Sequence, residues 1–199
     1  MDSAFDGFVA AMRAIAPVPD AQFERARALF RPVRLDERAH FVRAGDRTDR
    51  VGFLVEGLLR SYYLTADGVE RTKAFVAGRR LVCPYAANLR KQVSDLFIQA
   101  LTPATLLVAE RARFDELVAA DPSWRAVIAA LTERHYLEED SAHRRLLLDD
   151  PATRYAQFLR EHGELAGRIS GRVTASYLAI TPEALSRIRS RRTSPIGGH

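Results

Sequence analysis

The sequence holds a single cysteine, Cys83, which excludes a disulfide within the chain and any all-cysteine zinc or iron–sulfur site. No apolar run approaches the roughly 20 residues that a membrane-spanning helix needs. The stretch Met1 to Ile15 places Asp2, Asp6 and Arg13 among apolar residues and lacks the basic head and apolar core of a secretory leader. Catalytic patterns are missing as well: no phosphate loop, zinc motif or serine–histidine–aspartate set stands out. The histidines are His40, His135, His143, His162 and His199, and only His40 falls in the strand-rich part. A metal-dependent oxygenase barrel needs two or three histidines and a carboxylate converging inside it. These absences predict a cytoplasmic protein that is not an enzyme, carries no cofactor or metal and does not touch the membrane.

With 199 residues, 47% hydrophobic and 28% charged, the chain has the composition of a folded protein of one large domain or two small ones. Its formal charge is +5, and its placement matters more than its size. From Arg168 to His199 six arginines face one acid, Glu183, an excess equal to that of the whole chain. Positive charge gathered in one terminal segment is a candidate polyanion-binding face; a solvated basic tail is the plainer reading. The spacing inside the segment decides between them.

Three textures follow one another. Ala4 to Phe30 reads as helix, broken at Pro17-Val18-Pro19, with Asp20 starting a second helix. From about Arg34, Gly45, Gly57, Gly68 and Gly78 recur every 10 to 12 residues between runs rich in β-formers: Phe53 to Val55, Leu58 to Leu64, Thr72 to Val76. Two more strands fit Asp95 to Leu101 and Thr105 to Ala109. Regularly spaced short strands with such turns predict a β-sandwich or roll. Helical texture returns at Arg113 to Ala119. Asp121-Pro122 then supplies an N-cap and a first-turn proline, and no further glycine or proline occurs until Pro151. A helix of about 28 residues would span about 40 Å, more than a small domain needs for its own core. Trp124, Ile128, Leu131, His135, Ala142 and Leu146 recur at an approximate helical spacing around a polar middle, which predicts a seam facing a second copy, with Trp124, Ile128, Leu131 and His135 as its contacts and packing on the roll as the alternative. Asp150-Pro151 opens another helix, with Tyr155, Phe158 and Leu159 on one face, and Gly163 and Gly167 break the chain before the basic segment.

The segment Gly171 to Ile188 carries the most information. A first helix runs to about Leu178, and a three-residue turn, Ala179 to Thr181, follows. Thr181 then caps a second helix that has Pro182 at its first position. Ala175 is small where two helices cross closely, and Leu178, Ile180, Leu185 and Ile188 supply the contact between them. This is how a helix-turn-helix is built. The second helix exposes Glu183, Ser186, Arg187, Arg189 and Ser190. Arginine can bind guanine in bidentate fashion, a carboxylate can accept from cytosine, and free N–H groups at the helix start suit phosphate. Thr181, Glu183, Ser186, Arg187, Arg189 and Arg191 are therefore the candidate DNA contacts, with Arg191 and Arg192 placed for phosphate. The position of Ala179 usually holds glycine, because its backbone tends to be left-handed; alanine there costs about 1–2 kcal/mol.

Roll, long helix and helix-turn-helix in this order resemble the Crp/Fnr family of transcription regulators, over about Phe23 to Arg192. The most specific stretch is Ala175 to Arg189, supported by Phe41-Val-Arg-Ala-Gly-Asp46 and Arg154-Tyr-Ala-Gln-Phe-Leu159. The resemblance implies an α+β protein in three parts: residues 1–120 as a cyclic-nucleotide-binding-like β-roll (jelly-roll-like) sensor, 121–149 as the dimerisation helix, and 150–199 as a winged helix-turn-helix-like unit. It further implies a homodimer on a two-fold symmetric double-stranded DNA operator, RNA polymerase as a further partner, and a small-molecule effector not yet known. Glu183 and Arg187 fall on positions that read bases in the family, whereas Pro182 replaces a third reader. A signalling module that uses the roll without binding DNA is the competing function.

The effector pocket departs from the family's pattern. Members that bind cyclic AMP carry a Gly-Glu pair and, about ten residues later, an Arg-Ser or Arg-Ala pair. Aligned on Ala100, those positions hold Cys83-Pro84 and Ser94-Asp95, and a slip of one residue restores neither the acid nor the arginine. Arg90 and Lys91 are the nearest cations in sequence. Cyclic AMP is therefore not the expected effector. Haem ligation by Cys83, His40 or His135 can be framed, but lone histidines and a lone cysteine are more often structural.

Overall fold

The computed structural model describes residues 2–47 and 49–193. Helices α1 (Asp2–Arg13) and α2 (Asp20–Leu29) flank the Pro17-Val18-Pro19 break. There follow β1 (Arg31–Leu35), β2 (His40–Val42), β3 (Arg50–Glu56), β4 (Leu58–Leu64), β5 (Glu70–Ala77) and β6 (Arg80–Val82), then the short helix α3 (Tyr85–Arg90), β7 (Phe97–Ala100) and β8 (Ala104–Glu110). Helices α4 (Arg111–Ala120), α5 (Pro122–Leu148), α6 (Pro151–Ala166), α7 (Gly171–Tyr177) and α8 (Pro182–Thr193) complete the order. No helix among the described residues is long and apolar enough to cross a membrane.

The strands form two four-stranded sheets, ordered β1-β8-β3-β6 and β2-β7-β4-β5, with every pairing antiparallel. Alternation sends one side of each strand inward. Phe41, Leu54, Leu59, Ile98 and Leu106 fill the space between the sheets and are almost wholly buried. All four glycines of the ladder adopt positive φ. At Gly57 a Cβ would also lie 2.7 Å from the backbone of Ala104, so the β3–β4 turn excludes any other residue on conformation and on space. The five strands expected from sequence are present; β1, β2 and β6 are additions, the last two only three residues long.

A second core lies outside the first sheet. The Phe8 ring meets Phe53 edge-on at 5.1 Å and stacks near Trp124 at 6.0 Å, and Phe23 abuts the same tryptophan at 5.6 Å. Here the expected dimer seam needs correcting. Trp124 is 0% exposed inside its own chain, and Ile128 and Leu131 pack against the same core. His135 lies edge-on to Tyr85 at 5.7 Å. The seam is real, but it faces the roll, because the aromatic cluster of α1, α2 and β3 offers these side chains a deeper apolar surface than water. The opposite side of α5 carries Leu137, Leu147 and Leu148, which are 57%, 70% and 69% exposed.

A third core unites the roll with the last three helices. Leu58 and Phe75 of the second sheet share it with Tyr155, Phe158, Ile169, Ala175, Leu178 and Leu185. The break expected at Gly163 shows as a kink in α6 at His162 (φ −131°, ψ 23°), after which the helix runs on to Ala166 and Gly167 caps it. Residues 150–193 are helix and turn, and a wing beyond α8 lies outside the described residues, as does the side chain of Arg192.

Candidate nucleic-acid interface

Local chemistry sets each helix of this region. Asp150 caps α6 by accepting from the Thr153 N–H at 2.8 Å, and Ser170 caps α7 by accepting from Val173 at 3.3 Å. Thr181 caps α8, its hydroxyl accepting from the Ala184 N–H at 3.2 Å. Between α7 and α8 the chain reverses at Ala179, whose φ of 55° is left-handed, and the Ile180 N–H closes the turn on the Ala175 carbonyl at 3.0 Å. Arg154 fixes this corner from α6, donating to the carbonyls of Leu178 at 3.1 Å and Asp149 at 2.6 Å. Ala175, Leu178 and Leu185 are buried beneath the crossing.

The outward strip of α8 holds Glu183, Ser186, Arg187 and Arg191, all exposed, with Thr181 at its start. Among the described residues Arg187 makes no ion pair. The Glu183 carboxyl is held below the usual carboxylate range by its own free N–H at the helix start, then by the Thr181 hydroxyl and by Arg187. It is an anion at neutral pH and an acceptor only. Arg189 does not belong to this strip. Its Nε donates to the Tyr155 hydroxyl at 3.2 Å, and the guanidinium lies 5.6 Å from the centre of that ring. Four residues after buried Leu185, it stands on the inward side and ties α8 to α6. The i, i+4 relation to Leu185 was the signal in the sequence that could have shown this.

The proposed effector residues are each engaged in local structure or exposed. Cys83 packs against the aromatic core, where burial pushes its thiol up and Arg111 and Asn88 offset only part of the rise. Pro84 is buried at the start of α3. The buried Ser94 hydroxyl donates to the Leu96 carbonyl at 2.8 Å, a local turn, while Arg90 and Asp95 are exposed. The haem candidates are likewise engaged separately, His40 lying 3.0 Å from the Tyr62 hydroxyl and edge-on to Phe97. Apolar side chains fill the interior of the roll.

Two features escaped the sequence. Arg60 on β4 is 4% exposed, paired with Glu70 at 2.7 Å, bonded to Gln99 and laid over the Tyr62 ring. Ser176 of α7 docks on the edge strand β5: its hydroxyl accepts from the Thr72 N–H and donates to the Glu70 carbonyl, both at 2.8 Å. Beside this dock a cleft of about 640 Å³ opens between β5, α5, α6 and α7.

Roll, long helix and terminal helix-turn-helix together are the fold of the Crp/Fnr transcription regulators. The global regulator CLP of Xanthomonas campestris, described as responsive to c-di-GMP, superposes with a TM-score of 0.74 at 16% identity, over 87% of this chain and 91% of its own. A Crp/Fnr-family regulator from Eubacterium rectale gives 0.72 at 16%, over 87% and 83%. The catabolite activator protein of Thermus thermophilus gives 0.56 at 18%, over 91% and 88%. No family model and no curated protein sequence matches the chain, so the likeness rests on the fold.

Proposed function

We propose that this chain is a DNA-binding transcription regulator that acts as a homodimer on a palindromic operator and does not respond to cyclic AMP. The observation that carries the reading is the outward strip of α8: a capped helix start, an ionised Glu183, and Arg187 one turn later, free of ion pairs among the described residues. Such a helix suits the major groove, where the two charges can reach base edges and the helix start can meet phosphate. Arg191, farther along, suits phosphate. The uncovered side of α5, with Leu137, Leu147 and Leu148, is the surface on which two copies would pair. Two identical modules then enter successive major grooves, and the half-sites lie about one helical turn apart. The roll has neither the ribose acid nor the phosphate arginine of the cyclic AMP binders, and calorimetric titration with cyclic AMP should give no binding heat.

The test is selection of bound sequences from random duplex DNA, followed by binding of wild type and Arg187→Ala to selected and scrambled duplexes at two salt concentrations. The variant should lose about 1–3 kcal/mol per half-site on the selected duplex and relax preference at one base pair. Equal losses on both duplexes would make Arg187 a phosphate contact, and no retention of any duplex would sink the regulator reading.

A further inference from the structure

We propose that Arg154 is a positioning residue that fixes the angle between α5 and α8, and with it the spacing of the two DNA half-sites; the second clause rests on the reading of the chain as a DNA-binding homodimer. Asp149 and Asp150 are all that separates α5 from α6, and both are extended (φ −91°, ψ 140° and φ −69°, ψ 162°). The Asp149 N–H closes α5 on the Arg145 carbonyl at 3.0 Å, and the Asp150 carboxylate opens α6 by accepting from the Thr153 N–H at 2.8 Å. Each of these bonds stays at one helix end and leaves the angle between helices unset.

Arg154, half-buried at the start of α6, spans the gap. Its Nη1 donates to the Asp149 carbonyl at 2.6 Å, where α5 ends, and its Nε to the Leu178 carbonyl at 3.1 Å, where α7 ends. A carbonyl at a helix end has no partner within the helix, and left-handed Ala179 follows Leu178 at once and sends the chain into α8. A guanidinium is flat and its donors are fixed relative to one another, so two carbonyls bound to it keep one mutual orientation. Asp150 feels the Arg154 charge, but its carboxylate stays on Thr153. The Arg145–Glu161 pair at 2.7 Å joins α5 to α6 and reaches neither α7 nor α8. Apolar contact beneath the crossing has no preferred direction; the clamp supplies one. On a two-fold operator, one base pair more or less moves a half-site by about 3.4 Å and turns it by about 35°. A fixed angle selects one spacing, and a loose one accepts its neighbours.

Two readouts test this. Spin labels at Ser141→Cys on α5 and Ser186→Cys on α8, both exposed positions, report the angle without DNA. The background is Cys83→Ala, and labelled chain is diluted with unlabelled so that distances within one chain are read. Double electron–electron resonance should give one narrow distribution with Arg154, one about twofold wider in Arg154→Met, and an intermediate one in Arg154→Lys. On duplexes with one base pair added or removed between the half-sites, wild type should lose about tenfold in affinity and Arg154→Met less than about threefold. Arg154→Lys should keep wild-type affinity for scrambled duplex and lose part of the spacing preference. Circular dichroism checks folding, and if Arg154→Met does not fold, Arg154→Lys carries both readouts. An unchanged distance distribution in the variants would overturn the proposal. So would equal losses on selected and scrambled duplexes with the spacing preference intact, which would make Arg154 a phosphate contact. If no duplex is retained, the regulator reading fails, while the distances still decide whether Arg154 holds α8.

Discussion

Ala179 is a left-handed residue without the glycine that such a turn favours, and the strain sits at the corner that orients α8. Ala179→Gly should stabilise the protein by about 0.5–1 kcal/mol, since relief of the strain exceeds the extra freedom that glycine gives the unfolded chain. Urea unfolding monitored by circular dichroism measures this; a loss of stability would mean that the alanine methyl makes a contact worth more than the strain. At this scale the sequence was most legible. Asp121, Asp150 and Thr181 act through hydrogen bonds to residues two or three positions on, and Pro182 through its fixed φ at the first helical position, so their roles follow from spacing alone. Ser176 was not legible, because its partners on β5 lie about a hundred residues earlier and only the folded chain brings them together. Arg60 was hidden for the same reason, its burial depending on Glu70 and Gln99 from neighbouring strands.

Among the elements, α5 taught the most about what periodicity leaves open. Its length and start were evident in the absence of glycine and proline and in the Asp121 cap, but the period names a seam without naming what the seam faces. The two sides separate by mutation. Trp124→Ala should cost about 3–5 kcal/mol of fold stability, as loss of a large, fully buried side chain does. Polar substitution of Ile128 or Leu131 should likewise act on the fold rather than on assembly. Leu137→Glu with Leu147→Glu should leave melting nearly intact, give monomers in sedimentation and weaken duplex binding. A double variant that still sediments as a dimer would place the contact between copies elsewhere. The short strands β2 and β6 were beyond reading, since three residues set no period and their pairing partners are remote.

For the whole molecule, the shared core of Leu58 and Phe75 with the terminal helices joins the helix-turn-helix to the roll through buried apolar contact. His162 sits in that junction, its ring between 5.5 and 6.0 Å from those of Phe75, Phe158 and Tyr177. Burial is the main cause that lowers its pKa from the ordinary 6.5, Arg145 adds to it, and Glu161 opposes. The folded state therefore resists the proton that the unfolded chain accepts. Stability from this group is complete above pH 6.5 and is lost as pH falls from there through the lowered folded pKa. Melting temperature followed across that range should drop in wild type and drop less in His162→Phe. A drop of equal size in the variant would assign the acid sensitivity to other groups.

The Ser176 hydroxyl has one more consequence, which concerns the company the sheet keeps. β5 ends its sheet, and an unpaired strand edge is a template on which other chains can add. Here a single side chain from α7 occupies both an N–H and a carbonyl of that edge, while the terminal helices lie over Leu58 and Phe75. The helix-turn-helix thus shields the roll from self-association as well as presenting α8 outward. Cut away after α5, the roll would be left with a bare edge and an uncovered apolar patch, and its solubility, rather than its folding, would be the first property to fail.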